Sequence, residues 1–122
     1  MPVCHHGSIF GAVVPVYPDS EKITNPEQGR RMAAALGKSK AVIMRGHGAV
    51  VAESSVEAVL GASLYLEENA RFFVEASILG PPIPLPGDEL MRAASSTFRP
   101  TSIAKIWSYF MEKGYRAGIF WD

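Results

Sequence analysis

The sequence has little that would take it into a bilayer or an oxidising compartment. Its one cysteine, Cys4, excludes an internal disulfide and favours a reducing, cytoplasmic setting. No apolar run approaches the roughly 18 residues of a membrane span, and no basic segment leads into an apolar stretch at the start. Neither a membrane nor a secretory route is therefore expected. Basic and acidic residues balance at 12 each, and no basic cluster stands out, which argues against nucleic acid or an anionic surface as the main partner. Internal repeats and low-complexity segments are also lacking. What is there is a chain of 122 residues, 48% of them hydrophobic, with room for one domain and a modest core.

Two short apolar runs, Ala41–Met44 and Ala49–Ala52, flank the polar interruption Arg45-Gly46-His47-Gly48. Short, partly β-branched runs read as buried strands, or as one kinked strand. Glycine on both sides of His47 lets the backbone turn sharply and lets other groups approach the imidazole. His47 is thus a candidate metal or ligand contact. The competing reading is a turn histidine with one hydrogen bond and no chemistry.

Upstream, Cys4-His5-His6 precedes a short helix or turn expected around His5–Phe10. Adjacent histidines diverge on any regular element, so both are not expected on one metal. A Cys4–His5 nucleophile pair is disfavoured because sequence neighbours seldom meet side chain to side chain. Val13–Tyr17 carries a proline and reads as an edge strand or one with an irregular start. Asn25-Pro26-Glu27-Gln28 starts a helix reaching about Leu36, with Gly37 as its stop. Ser54 and Glu57 form a second capping box ahead of the longest helix, to about Leu79, which Gly80-Pro81-Pro82 ends. Its core face is expected to be Val56, Val59, Leu60, Ser63, Leu66, Ala70, Phe73, Val74 and Ser77. Leu64, Tyr65, Phe72 and Ile78 widen the apolar stripe and point to a second partner, such as another subunit. Glu67 and Glu68 are spaced to pair with Arg71 on a solvated face. A stiff connector, Pro81–Gly87, leads to a short helix over Asp88–Ala94 and a loop at Thr97–Pro100. A last helix, capped by Thr101 or Ser102, is expected to end at Gly114. The aromatic tail, Tyr115–Asp122, should dock rather than stand in solvent. The elements add up to an α/β arrangement whose three strands are too few to cover the helices' apolar faces, as if the chain were incomplete.

These residues resemble the class II aldolase/adducin family. Arg45-Gly46-His47-Gly48-Ala49-Val50-Val51 is similar to its His-Gly strand-turn motif. Ser55–Val59 and Tyr65–Arg71 resemble the helix that follows, Pro2–His6 the segment before, and Pro15-Val16-Tyr17 the strand between. The similarity runs from Met1 to about Gly80 and more loosely beyond, and it rests on the order and spacing of these pieces.

The resemblance implies a three-layer α/β/α sandwich around a mainly antiparallel sheet, assembled as a homotetramer. It implies a divalent metal, most often Zn2+, on three histidines, with His47 matching the third. The other two form a His-x-His pair that, with a catalytic glutamate, precedes the segment matched by Met1. The sequence contains no His-x-His. Residues 1–122 are accordingly expected to be the C-terminal part of a single domain, a fragment inactive alone. In the sugar-phosphate aldolases a tyrosine follows the histidine matching His5 and donates a proton across the subunit boundary. Here that position is His6, the candidate catalytic residue, which is also compatible with relatives that decarboxylate hydroxy- or keto-acids. The implied activity is that of a metal-dependent carbon–carbon lyase acting on a small hydroxy-carbonyl or sugar-derived substrate. Aldol cleavage and decarboxylation would share a metal-stabilised enediolate. The alternative is a non-catalytic, adducin-like interaction or oligomerisation module.

Overall fold

Three strands, β1 (Val16–Tyr17), β2 (Ala41–Met44) and β3 (Gly48–Val51), form one sheet in that order. The structure is a computed structural model and describes residues 1–120. β2 pairs antiparallel with β3, from Ala41 opposite Val51 to Met44 opposite Gly48. Its other edge takes β1 in parallel, a shorter contact, so antiparallel pairing predominates. As its proline requires, β1 is an edge strand that starts after Pro15, whose carbonyl accepts the Ile43 N–H at 2.9 Å.

The helices are α1 (Pro26–Leu36), α2 (Val56–Leu79), α3 (Gly87–Thr97) and α4 (Pro100–Arg116), preceded by a 3-10 helix over His6–Phe10. Successive side chains of β2 look to opposite faces of the sheet. Ala41 packs with Ile9, Phe10, Ala62 and Tyr65 on one side. Val42 and Met44 pack with Tyr17 and Met32 on the other. The sheet therefore lies between α1 and a layer made by α2 with the 3-10 helix, the α/β/α order that the family resemblance implies.

α1 begins as its sequence dictates. The Asn25 side chain accepts the Gln28 N–H at 2.9 Å, and the Gln28 side chain accepts the Asn25 N–H at 3.2 Å. Two of the donors left over at a helix start are thereby satisfied.

α2 departs from expectation twice. Its N-cap is Ser55, not Ser54: the Ser55 hydroxyl accepts the Ala58 N–H at 3.2 Å. Glu57 then falls one position short of the capping-box site. Its carboxyl is still held below the ordinary range, first by its own backbone N–H and then by the Ser55 hydroxyl. The second departure is the buried face, which consists of Ala58, Gly61, Ala62, Tyr65 and Asn69. Val56, Ala70, Val74 and Ser77 of the expected face are exposed, and Tyr65, expected to meet a second partner, is 9% exposed in the core. Close approach explains the choice. A Cβ on Gly61 would sit 3.2 Å from the Phe98 ring, so small residues admit neighbours that a Val/Leu face would hold away.

α3 runs three residues further than the expected Ala94 end, to Thr97. α4 starts at Pro100 with Arg99 as N-cap, ahead of Thr101 and Ser102, and continues past Gly114 to Arg116. Pro100 has no N–H to leave unpaired at that position, which explains the earlier start. The tail returns onto α4. Phe120 lies over Gly114, where a Cβ would come within 2.1 Å of its ring, and meets Tyr115 edge-on at 5.5 Å. Trp121 and Asp122 lie outside the described residues. No helix among the described residues is long and apolar enough to cross a membrane.

The two serines ahead of α2 can be told apart by chemical denaturation. Ser55→Ala should cost about 1 kcal/mol, the usual loss of an N-cap, and Ser54→Ala less than about 0.5 kcal/mol. Equal losses would refute the cap placement.

Candidate functional site

One stretch of α2 organises the histidine-bearing N-terminal segment. Tyr65, Glu68 and Asn69 stand at helical spacing on the same face. Asn69 is 6% exposed, and both ends of its amide bond to that segment. Its Oδ1 accepts the Val3 N–H at 2.9 Å and lies 3.6 Å from the Cys4 thiol, while its Nδ2 donates to the Met1 carbonyl at 3.1 Å. The fit needs Gly7, because a Cβ there would fall 2.1 Å from Asn69 Oδ1. From the connector, the Leu85 N–H donates to the Pro2 carbonyl at 3.1 Å.

Held this way, the adjacent histidines diverge as expected. His5 Nε2 lies 3.5 Å from the Ser96 hydroxyl on α3. His6 turns to α2, stacks on the Tyr65 ring at 4.0 Å with 5° between the planes, and places Nδ1 on the Glu68 carboxylate. Glu68 is therefore engaged by His6 and not by Arg71, whose guanidinium lies 5.2 Å from the Phe72 ring centre. The expected Glu67–Arg71 and Glu68–Arg71 pairs are absent among the described residues. The Glu68 carboxylate, meeting an imidazole N–H across the helix, has a better partner than a solvated guanidinium three residues away.

His6 borders a cavity of about 580 Å³ between α2 and α4. Tyr65, Glu68 and Arg71 line it from α2, Lys105 and Tyr109 from α4. Burial, and secondarily the Glu68 charge, push the Tyr65 phenol above its ordinary pKa. An aromatic floor beneath an imidazole, with cations on the rim, can bind a small polar or anionic molecule and pass a proton at His6.

His47 is elsewhere. It ends the tight turn from β2 to β3, its N–H donating to the Met44 carbonyl at 3.0 Å, with Gly46 at φ +69° supplying the left-handed position such a turn needs. The side chain is exposed, and Nδ1 lies 3.2 Å from the Ser20 carbonyl oxygen. A carbonyl accepts only from N–H, so Nδ1 carries a proton and Nε2 is the nitrogen left to face a ligand, the orientation a ligating histidine adopts. The donor chemistry of His47 suits a metal, but the set around it does not. Among the described residues no group of three His, Cys, Asp or Glu side chains could hold an ion. His47 does not line the cavity beside His6, so the two residues singled out from the sequence are not brought together.

Glu68 and Asn69 were not singled out as functional residues in the sequence. The signal for Asn69 was an amide in the middle of a helix, a position that residue type disfavours unless it is bonded elsewhere. Nothing in the sequence paired Glu68 with His6, 62 residues away.

The raised Tyr65 value has a consequence with a definite sign. The folded chain holds that proton more tightly than the unfolded one, so stability from this group is intact below the ordinary tyrosine pKa of about 10. It is lost as pH rises through the folded value. Denaturation midpoints at about pH 8 and pH 11 should therefore fall further in the wild type than in Tyr65→Phe; equal falls would refute the assignment.

Comparison with known proteins agrees with this fold. A Terrabacter sp. (strain DBF63) protein named 3,4-dihydroxyphthalate decarboxylase is 32% identical over 78 residues, which are 63% of this chain and 33% of that one. An aldolase II superfamily protein from Pseudomonas syringae superposes with a TM-score of 0.79 at 20% identity, covering 97% of this chain and 49% of that one. L-fuculose 1-phosphate aldolase from Glaciozyma antarctica PI12 superposes with a TM-score of 0.75 at 17% identity, covering 94% and 43%. The two superpositions speak for the fold alone. The chain spans about a third of the first relative and less than half of the two solved structures. Residues 2–74 match the family described as Class II Aldolase and Adducin N-terminal domain, and the chain belongs to that family.

Proposed function

We propose that the chain is part of a metal-dependent carbon–carbon lyase, the C-terminal part of its domain, acting on a small hydroxy-carbonyl or carboxylate substrate. The observation that carries this reading is the His47 imidazole. It stands at a glycine-flanked turn with Nδ1 committed to the Ser20 carbonyl and Nε2 open. In this reading His47 is one ligand of a divalent metal, best Zn2+, which imidazole nitrogens suit, with the remaining ligands supplied from outside these 122 residues. The metal would supply Lewis acidity. His6, which shares no cavity with His47 within one chain, would supply proton transfer across a subunit boundary, taking a proton at Nε2 from a substrate hydroxyl and returning it to the product. Arg71 and Lys105 offer cations that can pair with a substrate carboxylate, in a cavity that Glu67 and Glu68 also line. Decarboxylation is preferred over aldol cleavage because the relative at 32% identity is named a decarboxylase.

Metal content by elemental analysis tests the first part. His47→Ala should abolish stoichiometric zinc in the protein purified with its full domain and leave the circular dichroism spectrum unchanged; unaltered zinc would remove His47 from the site. Release of CO2 from a dihydroxyphthalate-type diacid, measured against aldehyde release from a ketose phosphate, separates the two reactions.

A second reading, an adducin-like module for self-association, is favoured by the far end of α2. Val74, Ile78 and Leu79 are 61%, 79% and 92% exposed, more apolar surface than a solvated helix end needs. A homotetramer would cover it. Ile78→Glu should then reduce the mass seen by light scattering, and a monomeric wild type would overturn this reading.

A further inference from the structure

The His6 ring is restrained in two independent ways by one helix. Tyr65, stacked at 4.0 Å and nearly parallel, fixes the plane of the imidazole. Glu68, three residues further along α2, fixes its flip, because only one of the two flipped orientations brings Nδ1 to the carboxylate. An ionised carboxylate offers lone pairs and no proton, so the bond requires N–H at Nδ1. That leaves Nε2 as the basic nitrogen of the ring, with no protein partner among the described residues. The other charged or titratable groups at the cavity are Glu67 and Arg71 from α2 and Lys105 and Tyr109 from α4, and none of them bonds the ring.

Stability does not account for the pair. The two side chains are 41% and 32% exposed, and ion pairs so open to solvent contribute little to folding. The geometry points to Glu68 as the positioning residue of His6: it sets the Nδ1–H tautomer and presents Nε2 to the cavity as proton acceptor. This inference rests on the acid/base reading of His6. In the step itself, Nε2 takes the proton of a substrate O–H while the electron pair of that bond stays on the oxygen. The Nδ1 proton remains on the ring, and the imidazolium charge so formed is met by the Glu68 carboxylate. The proton returns from Nε2 to the product, and the pair is restored.

The tautomer can be read directly by 15N NMR of the histidine side chains, about two pH units above the ordinary histidine value so that the ring is neutral. The wild-type His6 should carry its proton on Nδ1. Glu68→Gln should keep it there, since the glutamine carbonyl still accepts, and Glu68→Ala should move it to Nε2, the form a free histidine prefers in water. A wild-type ring protonated at Nε2 overturns the inference without any variant having to fold, and so does an unchanged tautomer in Glu68→Ala. In turnover by the full domain, Glu68→Ala should lose about tenfold or more in kcat with KM changed less than about twofold, a part of the roughly 10²–10⁴-fold that a positioned acid/base contributes. Glu68→Gln should retain more of the rate than Glu68→Ala. A switched tautomer with undiminished kcat overturns the positioning role. Full turnover in His6→Gln would instead refute the acid/base reading on which the inference rests, while the NMR result stood by itself.

Discussion

The buried amide of Asn69 is the constraint on which the rest of the site depends. Placed in mid-helix, it has no use for the α2 backbone and spends its hydrogen-bonding capacity on the Met1–Cys4 segment. An amide left without partners at that depth costs roughly 1–3 kcal/mol, so the segment is drawn to one position and held there. Gly7 makes the approach sterically possible, and the direction of the chain past it sends His5 to α3 and His6 to α2.

The two histidines of interest have been given the same tautomer by different acceptors. His47 donates from Nδ1 to a neutral carbonyl, that of Ser20. His6 donates from Nδ1 to a carboxylate, that of Glu68. The difference matters once the second nitrogen is used. A neutral acceptor suits a ring that offers a lone pair and stays uncharged, whereas a carboxylate suits a ring that becomes a cation in passing. One arrangement fits holding, the other fits proton traffic.

Much of the fold was legible where local chemistry decides it. The Asn25–Gln28 start, the strand pair around His47, the edge position of the proline-bearing strand and the divergence of His5 and His6 all follow from residue types at fixed offsets. The family resemblance was carried by the His47 turn, the proline-bearing strand, the Pro2–His6 segment and two stretches of α2. Misreadings arose where packing decides. Counting Val, Leu and Phe along α2 chose one face, while the protein buries Ala58, Gly61 and Ala62, because closeness between layers outweighs the bulk of a single side chain. The cap fell on Ser55 rather than Ser54 because two adjacent serines offer the same hydroxyl and only backbone geometry separates them. The Glu68–His6 pair was invisible for another reason: nothing local announces a contact between residues 62 apart.

That separation also bears on when the site comes into being. The contacts that place Val3, His6 and His5 join residues 66, 62 and 91 apart, whereas the hairpin carrying His47 closes over a few residues. Loop closure must be met before distant contacts contribute, so the hairpin can assemble early and the His6 arrangement only after α2 and α3 are in place. The same order runs backwards when the native state opens. The contacts that hold the His5–His6 segment on α2 and α3 can open while the β2–β3 hairpin stays paired, and the His6 arrangement would then be the first thing the molecule loses and the last it regains.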